Sequence, residues 1–178
     1  MAGLRAVKRS FSDPKVRKSV LRILRENVLC SMATVASGDR AHINTAYFCY
    51  SPAMEVYFLS DARSLHCRNL GRNPSMAITI FRSTQVWGRP DRGLQFFGTC
   101  HAAKGVNRAS AERLYGRRFP GYFRYTMGVR AEDRRTGDQL RSYRFYRFVP
   151  REVKILDERV FGGGVFIVAS LTGRKGSR

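Results

Sequence analysis

The sequence lacks the short motifs that mark most self-sufficient catalytic sites. It contains no GxSxG nucleophile turn, no HExxH zinc motif, no CxxC pair and no glycine-rich Walker loop. Its four cysteines stand far apart along the chain, which argues against a clustered zinc site or a small disulfide scaffold. We therefore predict buried free thiols, no bound metal, and a function that comes from a bound cofactor or from charge.

Acidic residues are scarce. The chain has 33 Lys and Arg residues, 27 of them Arg, against 13 Asp and Glu, for a net charge of +20. Such a charge attracts nucleic acid, acidic membrane surfaces, phosphorylated cofactors and polyanionic substrates alike. Because the arginines are spread from Arg5 to Arg178, the pattern favours a generally basic surface over a dedicated nucleic-acid stripe.

Long apolar runs are also missing. No stretch approaches the roughly 20 apolar residues that cross a bilayer, and residues 1–10 have no apolar signal core, so we predict a cytoplasmic protein with no membrane partner. At 178 residues and 43% apolar content, the chain is long enough for one domain with its own core. The predicted organisation is a basic flexible leader over 1–12, a single domain over 13–171 and a basic flexible tail over 172–178.

The apolar pattern that is present predicts mostly strands. Ser12, Asp13 and Pro14 indicate the start of a first helix that runs to about Asn27. Two further helices are predicted over 64–70 and 107–118. Alternating or β-branched runs predict strands over 28–36, 41–50, 54–60, 76–81, 94–103, 143–149 and 152–157, and a last short strand after residue 164. Residues 119–140 have no assigned element and are interpreted as a lid or partner-contact loop.

This order of elements predicts a mostly β fold with flanking helices, of the α+β class. Short antiparallel strands in a chain of this size must hide their edges by closing into a barrel or by dimerising. We therefore predict a small antiparallel barrel whose sheet has six strands.

Three segments resemble the split-barrel flavin-binding family that includes pyridoxamine 5'-phosphate oxidase. They read VLCSMATVASGDRAHINTAYFCY, VYFLSDARSLHCRNLGRNPSMAITIF and LQFFGTCHAA, and the resemblance covers about residues 23–103. It implies a six-stranded antiparallel split β-barrel of the FMN-binding type. It also implies a homodimer with the cofactor at the subunit interface, and flavin-mediated hydride or electron transfer on a small organic substrate that we cannot identify.

The resemblance implies a set of cofactor contacts spread over four segments, with no catalytic residue assigned. Asn44, Thr45 and Ala46 would line the flavin ring, and Leu59 and Ser60 would contact it from the end of the next strand. Ser64, Leu65 and His66 would form the phosphate-binding turn, and Gln95 would contact the flavin from a neighbouring strand. Many family members place Arg and Lys where this chain has Leu65 and His66, and Arg63 and Arg68 could compensate.

The residues themselves support a phosphate site at this turn. A helix start offers free N–H groups and the positive end of the helix dipole, so Ser64 and His66 are sensible phosphate ligands. Two cofactor alternatives stay open on the same barrel: a deazaflavin, whose acidic tail would suit the positive charge, and haem. A non-enzymatic basic module that binds flavin or nucleic acid is the alternative of a different class.

Overall fold

The computed structural model describes residues 3–128 and 131–171, so the predicted tail over 172–178 lies outside the described residues. The elements alternate between a single β-sheet and the helices around it. The strands are β1 (Arg5–Lys8), β2 (Leu29–Ala36), β3 (Arg40–Tyr50), β4 (Val56–Ser60), β5 (Ser75–Phe81), β6 (Arg92–Ala102), β7 (Arg144–Asp157) and β8 (Val165–Ser170). The helices are α1 (Pro14–Glu26), α2 (Leu65–Arg72), α3 (Gly105–Arg118), α4 (Gly121–Met127), a 3-10 turn (Ala131–Asp133), α5 (Arg134–Ser142) and α6 (Glu158–Phe161).

Six of the strands form a closed ring. The pairing runs β7-β4-β3-β2-β5-β6 and returns from β6 to β7, and every pair in the ring is antiparallel. Alternate residues point inward and are buried, among them Met32, Phe58, Ile78, Phe96 and Val153. The predicted six-stranded antiparallel split barrel is confirmed, with two further strands outside the ring.

Strand β7 is the element that joins the ring to those two strands. Its first half pairs with β4 and its second half pairs with β8, while β6 follows its other edge throughout. The sequence predicted two strands separated at Pro150; the structure has one strand with a bulge there, opposite Gly98. A Cβ on Gly98 would lie 2.2 Å from the Val149 carbonyl oxygen, so only glycine lets the two backbones approach this closely.

The leader is not entirely loose, in contrast to the sequence prediction. Residues Arg5–Lys8 form β1, which pairs in parallel with Val165–Val168 of β8. Four residues, two apolar ones between two basic ones, are too few to give a clear strand pattern. Their strand conformation comes from the free edge of β8, which supplies hydrogen-bond partners that the sequence alone could not reveal.

The segment that sequence analysis interpreted as a loop, residues 119–140, contains α4, the 3-10 turn and the start of α5. Tyr122 from α4 packs with Tyr57, Cys49, Ala111 and Phe145 in a second, smaller core cluster under α3. The glycines that obscured the helical pattern allow this packing. At Gly137, for example, a Cβ would lie 2.4 Å from the Tyr125 carbonyl oxygen.

The four cysteines are buried and free, as predicted. Burial raises the pKa of the Cys30 and Cys49 thiols to about 12. At neutral pH they are protonated and unreactive, so they are core residues and not nucleophiles.

The first helix behaves as its sequence predicts. Asp13 caps α1 by accepting the Lys15 backbone N–H at 2.8 Å, with Pro14 in the first turn. Its apolar face closes one side of the core through Val16 and Val20. Within the described ranges, no helix combines the length and apolar character needed to cross a membrane.

Candidate functional site

A cluster of polar side chains lies where β4 ends and α2 begins. Ser60 is the last residue of β4, and Ser64 is the N-cap of α2. The Nε2 atom of His66 lies 2.8 Å from the Ser60 hydroxyl oxygen and 3.2 Å from the Ser64 hydroxyl oxygen. The predicted phosphate-binding turn therefore has two hydroxyl groups held at one point by a histidine.

The turn between Ser60 and Ser64 is shaped by local hydrogen bonds. Asp61 accepts the Arg63 backbone N–H at 2.8 Å, and its carbonyl accepts the Ser64 N–H at 3.0 Å. The Asp61 carboxylate also pairs with the Arg63 guanidinium at 2.9 Å. The Ser64 side chain makes no capping hydrogen bond to the helix. The N–H groups of the first turn of α2 are thus left without a side-chain acceptor.

The His66 side chain is buried, with an exposed fraction of 6%, so it is less accessible than a phosphate ligand at the protein surface. Its ring stacks on the His42 ring with 6.3 Å between centroids. Burial, and then the nearby His42, lower the pKa of His66. At neutral pH His66 is therefore neutral, and it orients the two serine hydroxyls instead of supplying charge.

The buried His66 predicts a loss of stability in mild acid. In the unfolded chain its pKa returns to about 6.5, above the folded value. As the pH falls below 6.5 the unfolded state binds the proton first, so the free energy of unfolding drops by up to about 1.4 kcal/mol per pH unit, until the pH passes the folded pKa. Denaturant unfolding between pH 7.5 and 5 measures this slope. His66→Gln should flatten it, whereas replacing the exposed His101 by Gln should not. Equal slopes in all three proteins would contradict the assignment.

Beside this cluster the sheet opens. Strand β3 pairs with β2 along residues 40–47, but it pairs with β4 only along residues 48–50. The Phe48 N–H points to β2, where it donates to the Val28 carbonyl. Because backbone groups alternate in direction along a strand, the N–H and C=O of Thr45 and Tyr47 point to the open side. An edge of backbone donors and acceptors therefore faces the gap between β3 and the turn after Ser60.

The structure brings some of the sequence-predicted residues together. Ser60, Ser64 and His66 contact one another, and Leu65 is exposed in the same turn. Asn44 and Ala46 lie on the β3 segment that borders the gap, with half-buried side chains on the inner face. The half-buried side chain of Leu59 packs instead against the smaller core cluster. The roles of these residues in cofactor binding stay predictions.

Gln95 and the side chain of Thr45 lie elsewhere, on the outer face of the sheet. In register, Thr45 pairs with Ser31, Ser31 with Thr79, and Thr79 with Gln95. Strands lie about 4.8 Å apart, so Gln95 is about 14 Å from Thr45 along this row. Within one chain, Gln95 is therefore separated from the Ser60–Ser64 cluster.

Sequence analysis missed Arg144, the first residue of β7. It is exposed and stands opposite Ser60 in the β4–β7 register. It adds a second cation to the cluster besides Arg63, whose side chain is 88% exposed. The two arginines are 81 positions apart in the chain, and no local pattern links them, so no sequence signal could have found this pair.

Two other features of the described residues were candidates for a site: metal-binding side chains and cavities. No group of three His, Cys, Asp or Glu side chains in that part of the chain could hold a metal ion. A cavity of about 530 Å³ is lined by residues such as Arg9, Arg17 and Met54, away from the Ser60–Ser64 cluster.

Comparison with known proteins finds similarity in structure only. No family model matches the sequence, and no curated protein matches it. A protein related to general stress protein 26, of the pyridoxinephosphate oxidase family, from Clostridium acetobutylicum is 12% identical, with a TM-score of 0.64 over 89% of this chain and 96% of that chain. A putative pyridoxamine 5'-phosphate oxidase from Listeria innocua is 18% identical, with a TM-score of 0.58 over 79% and 98%.

A heme binding protein from Mycobacterium smegmatis is also similar. It is 14% identical, with a TM-score of 0.63 over 84% of this chain, which spans 55% of that longer chain. At such low identities the likeness establishes the fold and leaves the activity open. The closed ring of six strands, the gap between β3 and β4 and these neighbours agree: this chain has the split-barrel fold of the pyridoxamine 5'-phosphate oxidase family.

Proposed function

We propose that this chain is an FMN-binding oxidoreductase that acts, as a homodimer, on a small organic substrate. The observation that carries the proposal is the donor set around the gap in the sheet. Hydroxyl, N–H and guanidinium groups gather at one end of the gap, and backbone groups of β3 that do not pair with β4 line its side. Among them, the Thr45 carbonyl accepts the Asn44 side-chain amide at 3.3 Å. An anionic group attached to a flat polar ring matches this arrangement.

The Ser60–Ser64 cluster suits the phosphate end. The two hydroxyls converge on one point, and the first-turn N–H groups of α2 have no side-chain cap. The exposed Arg144 supplies positive charge, whereas the charge of Arg63 is partly balanced by Asp61. Arg68 contributes indirectly, because its guanidinium donates to the Arg63 carbonyl and so holds the turn. This set compensates for the missing Arg and Lys at positions 65 and 66.

The open edge of β3 suits the ring end. Thr45 and Tyr47 present backbone N–H and C=O groups with the spacing of a strand, and the edge of a flavin ring alternates donors and acceptors in a similar way. A bound flavin would supply hydride or electron transfer. The chain would bind and orient the ring through these backbone groups, and donors near the ring would favour its more negative, reduced form. None of the protein's acids or bases is required in this scheme.

The outer face of the sheet supports the homodimer. On this face, residues paired across β3, β2, β5 and β6 form three rows that run across the sheet. The middle row, from Thr45 to Gln95, is polar, and the row on each side of it is more apolar. Five large apolar side chains on this face are exposed: Leu29, Ile43, Tyr47, Phe81 and Phe97. Several exposed apolar side chains on one face of a sheet are typical of an interaction site. In our proposal a second copy covers it and brings its own Gln95 towards the cofactor, which one chain alone does not do.

An absorption spectrum of freshly purified protein tests the cofactor. We expect a yellow protein whose flavin spectrum is released on denaturation and co-migrates with FMN in chromatography. A deazaflavin spectrum, or the intense Soret band of haem, would replace FMN by one of the other two cofactors. A colourless protein that does not take up FMN, but shifts labelled nucleic acid with a steep salt dependence, would overturn the proposal in favour of a basic binding module.

A further inference from the structure

A cavity in the described part of the chain lies outside the proposed flavin site. It has a volume of about 530 Å³, within the range of pockets that hold small molecules. Three distant segments form its walls: residues 9–12 before α1 together with Arg17, the turn from Pro52 to Met54, and the end of β8 at Leu171. These segments lie near the start of β4, whereas the flavin site lies near its end. Met54 and Ser60 are six positions apart, which corresponds to about 20 Å of extended chain.

The rim of this cavity carries positive charge. Arg17 is half-buried, and in the described ranges its guanidinium has no carboxylate or other hydrogen-bond acceptor. Arg9 pairs with Asp13 at 3.2 Å, so part of its charge is already balanced. The hydroxyls of Ser10 and Ser12 lie 2.7 Å from each other and add polar atoms to the same rim. Partial burial of a guanidinium without a hydrogen-bond partner costs free energy, unless an anion or a water molecule accepts its hydrogen bonds.

The floor of the cavity is apolar. Met54 is buried in the main core, and Phe11 and Leu171 pack against that core from the two chain ends. Met54 also has a φ of +67°, which is uncommon for a residue other than glycine. Such strained positions are often found where a binding surface needs a particular shape. The cavity therefore pairs an apolar floor with a cationic rim.

We propose that this cavity is an accessory binding site for a small amphipathic anion, such as a medium-chain carboxylate. The carboxylate pairs with Arg17 at the rim, with the serine hydroxyls beside it. The hydrocarbon part lies on Met54, Phe11 and Leu171. Because the ligand contacts the leader, the β3–β4 turn and the end of β8 at once, its binding ties the leader to the barrel and stabilises the folded chain.

Calorimetric titration of the purified full chain with octanoate and with octan-1-ol tests this site. The two probes have the same chain length, and only octanoate has a charge for Arg17. We expect saturable octanoate binding that is at least about tenfold tighter than octanol binding, since a charge-assisted hydrogen bond contributes a factor of this size. Arg17→Met should remove this preference by weakening octanoate about tenfold or more and leaving octanol nearly unchanged.

Two further variants make the result specific. Arg25→Met, at an exposed position on the same helix, should bind octanoate like the unmodified chain. Ala53→Trp places a large side chain at the exposed turn of the cavity wall and should abolish binding of both probes while the chain stays folded. Absence of saturable octanoate binding, equal losses in Arg17→Met and Arg25→Met, or full binding in Ala53→Trp would each overturn the site. None of these outcomes depends on whether FMN is the cofactor.

Discussion

Alanine at both Ser60 and Ser64 is expected to weaken FMN binding by about 100-fold or more and to leave riboflavin binding within about twofold. The two hydroxyls converge at the proposed phosphate position, where each can donate a charge-assisted hydrogen bond worth about 1.5–3 kcal/mol. Riboflavin has the same ring and no phosphate. Fluorescence titration of the apoprotein with both flavins gives the ratio of affinities directly.

The ratio of FMN to riboflavin affinity distinguishes the loss of a phosphate contact from the loss of folded protein. The double variant leaves the buried Nε2 of His66 without its two hydroxyl partners, which costs some stability, but a partly unfolded sample would lose both flavins equally. Alanine at the exposed Ser75 and Ser83 provides a matched control that should bind both flavins normally. If the Ser60 and Ser64 double variant keeps its preference for FMN, the phosphate does not bind at this turn.

Glutamate in place of Ile43 is expected to dissociate the proposed homodimer and release its proposed flavin. Ile43 is 71% exposed in the single chain and lies in the row that ends at Phe97. In a dimer formed through this face its side chain would be buried, and a carboxylate there would have to lose its water. We expect the dimer dissociation constant to rise by about 100-fold or more. Sedimentation velocity over a range of concentrations measures it.

The matched control is Val106→Glu, because Val106 is 81% exposed and lies on α3, away from this face. It should leave both the dimer and the flavin content unchanged. A natural chain that is monomeric at micromolar concentration, or an Ile43→Glu variant that stays dimeric, would rule out a homodimer through this face. A monomeric Ile43→Glu variant that keeps its flavin would instead place the whole cofactor site within one chain.

Sequence analysis located most elements because their signals are local. Asp13 and Pro14 mark the start of α1, and the residue after Glu26 ends it where predicted. The turn at Gly38 and Asp39 separates β2 from β3, and both residues have the positive φ that such turns need. Errors occurred where a tertiary contact overrides the local signal. Residues 5–8 become a strand only because β8 has a free edge, and Pro150 is accommodated within β7 because Gly98 lies opposite it.

The part of the candidate site that the sequence predicted also depends on local signals. The link between Ser60, Ser64 and His66 spans seven residues, and its strand end and helix start are both visible in the sequence. The sequence could not show that His66 would be buried against His42, where its pKa is lowered. Nor could it show that Gln95 would face away from the cluster, since that depends on the register of four strands.

The sequence by itself determined most of the strands, the capped first helix and the polar turn at the end of β4, because caps, turns and strand alternation are short-range properties. The tertiary structure alone decided which groups meet: Arg144 opposite Ser60, the open edge of β3 beside that turn, and the apolar rows on the outer face. Those features arise from pairing between strands far apart in the chain, where a shift of one residue moves every side chain to the other face.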